Sequence, residues 1–193
     1  MTPFLYVSHP QVQVDPAVPV PDWGLSPLGR ARAGALAGEP WLMVYGRVIS
    51  STEEKAKETA GILATALGLP VEVRDDLHEN DRSATGYLPE AEFQQVADAF
   101  FANPHTSVRG WERAQDAQDR IVAGVMLALA EAPRTPTLFV GHGGVGTLLL
   151  CHLAGYAISR VHDQPPVGGG CWFRQTATET PDRWRPLEEA PSP

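Results

Sequence analysis

The sequence predicts an α/β fold: a three-layer sandwich with a mainly parallel, mixed sheet of about six strands and helices on both faces. Three observations lead there. Short apolar runs alternate with segments of helical spacing along most of the chain. The length of 193 residues suits one domain with a sizeable core. Five or six strands are also too crowded in that length for two domains. Residues 1–193 are therefore expected to form a single domain, with 185–193 as a frayed tail.

Each element has its own local reason. Phe4-Leu5-Tyr6-Val7 is an apolar run of strand type stopped by His9-Pro10. The Pro- and Val-rich stretch from Gln11 to Gly24 lacks helical spacing and reads as an ordered loop. Ser26 can cap a helix that runs through Ala-rich sequence to about Gly38. Met43 to Ser50 is a second strand. Ser51-Thr52-Glu53-Glu54 has the pattern of a capping box, opening a helix that stops at Gly68 with Pro70 beyond it. Val71-Glu72-Val73 alternates as a third strand, followed by a polar stretch from Asp75 to Pro89. Helical spacing returns at Glu90–Phe101 and Gly110–Glu131. Thr137-Leu138-Phe139-Val140 is a fourth strand, Gly143–Leu153 a helix, and short strands are expected near Gly170–Arg174 and Arg183–Arg185.

Composition narrows the function. The net charge of −8 argues against duplex nucleic acid as a partner, and a phosphate ligand would need a locally basic pocket. Cys151 and Cys171 are too few for a disulfide framework, so they read as reduced thiols of a cytoplasmic protein. The N-terminus lacks the pattern of a signal peptide, and no stretch approaches the roughly 20 apolar residues of a membrane span.

In open α/β sheets, ligands bind beyond the carboxyl ends of the strands. Ser8-His9-Pro10 follows the first strand. Ser50-Ser51 and then Lys55 follow the second, Leu77-His78-Glu79 the third, and Gly141-His142-Gly143-Gly144 the fourth. If these strands are parallel, two histidines, a lysine and a carboxylate meet on one rim. Such a set holds a nucleophile, a cation, a proton donor and backbone amides for an anion, which suits phosphoryl transfer.

The same ordered set resembles the histidine phosphatase superfamily (phosphoglycerate mutase-like). Its members open with a strand and Arg-His-Gly, then a Leu-Thr-x-Leu-Gly-Arg helix start. Ser-Ser-Pro-Leu-x-Arg-Ala-x-x-Thr-Ala, an acid and a late His-Gly follow. Here Ser8-His9-Pro10 and Leu25-Ser26-Pro27-Leu28-Gly29-Arg30 stand first. Ser50-Ser51-Thr52-Glu53-Glu54-Lys55-Ala56-Lys57-Glu58-Thr59-Ala60, Leu77-His78-Glu79 and Gly141-His142-Gly143-Gly144 complete the order over roughly residues 4 to 155. The resemblance implies a phosphomonoester hydrolase with a phosphohistidine intermediate at His9, acting on a small phosphorylated molecule. Glu79 would be the proton donor, and His142 and the Gly143 amide would hold phosphoryl oxygens. Lys55 stands at the family's second arginine, and Asp15 near a polar residue of its relatives. Ser8, Lys55, Gly143 and Asp15 thus form the expected phosphate-binding set. No metal and no organic cofactor are implied, and a homodimer is compatible with the pattern.

Ser8 replaces the first arginine and Pro10 the glycine. A serine offers one neutral hydroxyl where arginine offers a bidentate fork. Loss of one such donor commonly raises a barrier by about 2.7–4 kcal/mol. Arg30, Arg82 and Arg109 are the candidate replacements. The departure supports an alternative, a weak or inactive relative that binds a phosphate-bearing ligand or protein partner. A glycerate mutase is disfavoured by the acid-rich 75–89 segment. Gly141-x-Gly143-x-x-Gly146 with Asp163 mimics a dinucleotide fingerprint, but too little chain follows it to complete that fold.

Overall fold

The computed structural model describes residues 2–191. Strands β1 (Phe4–Ser8), β2 (Arg47–Ser51), β3 (Val71–Arg74), β4 (Thr137–Gly141), β5 (Cys171–Gln175) and β6 (Arg185–Pro186) form one sheet in the order β3-β2-β4-β1-β5-β6. The first four strands of that order are mutually parallel. β5 runs antiparallel to β1, and β6 antiparallel to β5. The expected three-layer α/β sandwich with a mixed sheet is what the chain forms.

Helices α1 (Pro27–Ala37) and α2 (Glu54–Leu67) cover one face; α3 (Glu90–Ala102), α4 (Ala114–Glu131) and α5 (Gly143–Ala154) lie on the other side. The two-residue period of a strand divides its side chains between these faces. In β1, Phe4 and Tyr6 pack with α4 and α5, whereas Leu5 and Val7 pack with α1 and α2. Phe139 and its neighbours Leu138 and Val140 repeat the division in β4. Central strands buried on both faces read as continuous apolar runs, which is why β1 and β4 were plain in the sequence. Each such buried side chain contributes roughly 1.5–3 kcal/mol.

Ser26 caps α1 as expected, its hydroxyl accepting from the Gly29 amide at 3.1 Å. Gly68 closes α2 in the left-handed conformation, φ 66°. The capping box does not form: Glu53 is the N-cap residue, and no side chain caps the helix. Ser51 is still in β2, and its hydroxyl is turned toward His142 instead. Within this segment Lys57 pairs with Glu54, and Glu53 with Lys55.

The C-terminal segment corrects the expectation of a frayed tail. Trp184 and Leu187 are buried, Arg32 binds Glu188, and the Trp172 indole donates to the Glu189 carbonyl at 2.9 Å. Residues 192 and 193 lie outside the described ones.

Gly29 shows how tightly the first loop is seated on α1. A Cβ there would lie 2.1 Å from the Gln11 carbonyl oxygen, whereas one at the exposed Gly34 meets nothing within 4 Å. Gly29→Ala is expected to destabilise the fold by about 1–3 kcal/mol. Gly34→Ala, on the same helix, should stabilise it by about 0.5–1 kcal/mol. Urea unfolding of the two variants checks the contrast.

Candidate active site

β4 returns between β2 and β1, so the loops after β1 and β4 leave adjacent strands toward opposite helical layers. A crevice opens at such a reversal of strand order. His9 and His142 stand on its two sides, with ring centroids 5.3 Å apart at 68°. The His9 amide extends the ladder by donating to the Gly141 carbonyl at 3.0 Å. Behind them the Tyr6 hydroxyl accepts from the His142 amide at 3.1 Å and donates to the His142 carbonyl at 3.3 Å. That hydroxyl explains Gly141, where a Cβ would sit 2.3 Å from it. Gly146 is needed against the Tyr6 and Trp184 rings, so two glycines of the apparent dinucleotide fingerprint are packing glycines.

His9 lines a cavity of about 270 Å³ with Glu79, Arg82, Gly143, Gln164 and others. Its Nδ1 lies 2.9 Å from the Pro10 carbonyl. A carbonyl only accepts, so Nδ1 carries the proton and Nε2 keeps the lone pair. Enclosure in the site, with His142 and Lys55 adding to it, pushes the His9 pKa down to about 3. The ring is therefore neutral near pH 7 and nucleophilic at Nε2.

His142 is fully buried and hydrogen-bonded through Nε2 to the Ser51 hydroxyl at 2.6 Å. Burial lowers its pKa to about 3 against the opposing pull of Glu53. Its Nδ1 is buried without a partner, as is Asn80 Nδ2.

Glu79 caps α5. Its carboxylate accepts from the amides of Gly144 at 3.0 Å, Val145 at 2.8 Å and Asn80 at 3.1 Å. The Arg120 guanidinium buttresses this loop through the carbonyls of Asp76 and His78. Since Gly146 donates to the His142 carbonyl, the Gly143 amide is the early α5 donor left without an acceptor among the described residues.

The expected phosphate-binding set divides. Gly143 faces the cavity. Ser8 is buried and its hydroxyl is engaged, donating to Gln164 Oε1 at 2.8 Å and accepting from the Cys171 amide at 3.0 Å. It holds Gln164, whose Nε2 lies 2.2 Å from where a Gly143 Cβ would be. Lys55 is buried; its ammonium donates to the Val20 carbonyl at 2.8 Å and to the Glu53 carboxylate. Asp15 is exposed, and its carboxylate accepts from the Ala17 amide within its own loop. The structure does not bring Asp15 to the His9 cavity.

Among the candidate replacement cations, Arg30 is paired with Glu58 and Arg109 with Glu92. Arg82 lies on the wall of the His9 cavity, its guanidinium 4.9 Å over the Phe93 ring, with no ion pair to a carboxylate among the described residues. It also lines an adjoining cavity of about 600 Å³, bounded by the 16–21 loop, Glu53, His78 and Glu79. Among the described residues, no three His, Cys, Asp or Glu side chains are grouped as a metal site.

The model of the histidine phosphatase superfamily (branch 1) matches residues 12–179. The chain belongs to this superfamily. The match begins just beyond Ser8-His9-Pro10. Solved structures of similar fold include a mycobacterial glucosyl-3-phosphoglycerate phosphatase in complex with inorganic phosphate. It is 25% identical, with a TM-score of 0.73, over 96% of this chain and 95% of that one. Bacillus stearothermophilus YhfR is 20% identical, with a TM-score of 0.77, over 93% and 94%. An Entamoeba histolytica phosphoserine phosphatase in complex with 3-phosphoglyceric acid is 17% identical, with a TM-score of 0.69, over 94% of each chain. A search of curated proteins returned no match.

Sequence reasoning missed three members of this histidine phosphatase site: Glu53, Ser51 and Gln164. The signal for Glu53 was its register, at the leucine of Ser-Ser-Pro-Leu-x-Arg. Gln164 carried none, because it reaches the site from a loop 156 residues away from Ser8.

The two depressed histidines predict a pH signature. Each protonates near 6.5 when unfolded but near 3 when folded. The unfolded chain thus binds more protons between those values, so stability is lost as pH falls through that window. The slope approaches about 1.4 kcal/mol per pH unit for each ring. Urea unfolding at pH 7, 6 and 5 is expected to show this loss, with a shallower slope in His142→Asn.

Proposed function

We propose that the chain is a phosphomonoester hydrolase that works through a phosphohistidine at His9. The observation that carries this reading is the tautomer of His9: the Pro10 carbonyl fixes the proton on Nδ1 and leaves Nε2 free at the cavity. Superfamily membership supports it, as do the small phosphorylated ligands named for the mycobacterial and Entamoeba structures.

In the first step the Nε2 lone pair attacks phosphorus, and the bond from phosphorus to the leaving oxygen breaks. The leaving oxygen takes a proton from Glu79, whose Oε2 accepts only one amide and has room to carry it. In the second step water attacks the phosphohistidine, Glu79 takes its proton, and orthophosphate leaves with His9 regenerated. The Gly143 amide, Asn80 Nδ2, His142 Nδ1 and Arg82 supply donors for the phosphoryl oxygens, none of them with an acceptor among the described residues. The two buried ones, Asn80 Nδ2 and His142 Nδ1, cost about 1–3 kcal/mol each while unsatisfied, and a phosphoryl group removes that penalty. Arg82 takes the place of the missing motif arginine, and the 600 Å³ cavity beside it receives the organic part of the substrate.

A second reading has one specific observation in its favour. The Lys55 charge is already matched by Glu53, which fits a weak or inactive relative that binds a phosphate-bearing ligand.

Wild type is expected to release nitrophenol from p-nitrophenyl phosphate between pH 4 and 9. His9→Ala should lower kcat by about a thousandfold or more. Arg82→Met should raise KM roughly tenfold, the worth of a charge-assisted hydrogen bond. Acid-labile, base-stable phosphate on wild type but not on His9→Ala would locate the intermediate. Wild-type release no greater than that of His9→Ala at any pH would favour the second reading.

A further inference from the structure

Glu53 has no part in the steps above, yet it joins Lys55, His142 and the Glu79 loop and lines the cavity adjoining that of His9. It is 8% exposed. One oxygen receives the Lys55 ammonium; the other accepts from the Glu79 amide at 3.0 Å and lies 3.6 Å from His142 Nε2. Burial opposes its ionisation, but His142, Lys55 and the Glu79 amide bring its pKa down to about 2. With His142 neutral at pH 7, Lys55 is the standing cause of that shift. The buried centre therefore holds Lys55 and Glu53 in balance, two neutral imidazoles and the neutral Ser8 hydroxyl. Of the two arginines on the wall of the His9 cavity, Arg160 is paired with Asp98, and Arg82 has no carboxylate partner among the described residues.

We infer that Glu53 is a specificity-determining residue: an internal carboxylate that occupies Lys55 and so weakens the site's hold on a doubly charged phosphoryl group. The inference rests on the proposed use of the His9 cavity for a phosphoryl group. A carboxylate and a phosphoryl oxygen are alike to an ammonium, both anionic acceptors at hydrogen-bond distance. The Lys55 charge acts on His9 at the cavity, so an incoming phosphate meets that attraction already offset by Glu53 and is repelled by the same carboxylate. The organic part of the substrate must then supply more of the binding, through Arg82 and the adjoining cavity. The second function of Glu53, tethering the Glu79 loop through its amide, needs only an acceptor oxygen. Glutamine keeps that oxygen and removes the charge.

The test is calorimetric binding of orthophosphate at pH 8 to wild type, Glu53→Gln and the double variant Glu53→Gln/Lys55→Met. Glu53→Gln is expected to bind about tenfold more tightly, because Lys55 is released to the anion. The double variant should bind within about twofold of wild type, since the pair it removes contributes almost no net charge. A merely structural role for Glu53 would weaken binding in both variants. Glu53→Gln leaves a buried ammonium unpaired and can lose its fold. The double variant carries no such charge and then decides alone: a tenfold loss would show that Lys55 holds the anion in wild type, overturning the inference. A folded Glu53→Gln that binds no more tightly than wild type overturns it as well. If that result comes with His9-dependent turnover, the hydrolase reading survives and only the role of Glu53 falls. If no variant binds phosphate and none turns over, both fall. A tenfold gain without turnover leaves the inference standing and removes the hydrolase reading alone.

Discussion

The parallel pairing of β1 with β4 is the constraint on which the site depends. It sets Ser8 beside Gly141 in register, so the residues that follow, His9 and His142, leave the sheet side by side. The Tyr6 hydroxyl then fixes the turn after β4 by bonding both backbone groups of His142. Tyr6 stacks on Phe173 with centroids 5.2 Å apart, so the turn is anchored into the core rather than to a mobile loop. Burial raises the Tyr6 pKa well above the usual range, and the hydroxyl stays protonated, as its hydrogen bond to the His142 carbonyl requires. A geometry held this way needs little reorganisation when charge develops beside it.

Charge is distributed around the site in an unusual manner for an anion pocket. The N-terminus of α5 is a natural anion site, but the protein's own Glu79 takes two of its amides. Lys55 is likewise met by Glu53. Two of the features that attract phosphate are thus engaged internally, and what remains for a ligand is mostly neutral donors and Arg82. Under the proposed function, the site discriminates by the placement of donors more than by field strength. That is consistent with a chain of net charge −8, whose overall field opposes anions.

Much of this was legible in the residues. Parallel strands buried on both faces are continuous apolar runs, so β1 and β4 could be read directly, and with them the convergence of His9, Glu79 and His142. Ser26 and Gly68 marked helix ends because caps act locally. The failures come where a buried partner decides. Ser51-Thr52-Glu53-Glu54 has a sound local pattern, but a buried partner, His142, captures the Ser51 hydroxyl and the capping box loses. Lys55 reads as a phosphate ligand until its neighbour Glu53 is seen to be folded inward with it. The tail reads as frayed because its Pro and Glu residues are polar, whereas Trp184, Leu187 and the Arg32–Glu188 pair seat it. The Ser51 hydroxyl and the tail are held by long-range partners, which spacing does not show, whereas Lys55 meets a near neighbour whose burial spacing does not show either.

The place of β1 in the sheet has a consequence for how the protein is made. The first strand to be synthesised lies between β4 and β5, which end at residues 141 and 175. The wall beside His9 is closed still later: the Gly170 amide donates to the His9 carbonyl, and the Leu187 amide to the Gly170 carbonyl. At about 5–20 residues per second, Phe4–Ser8 waits roughly ten to thirty seconds for both of its neighbours. During that time its apolar residues have no sheet to join. The nascent chain therefore carries an exposed aggregation-prone strand until β5 has emerged, and the wall beside His9 closes only after Leu187 has followed.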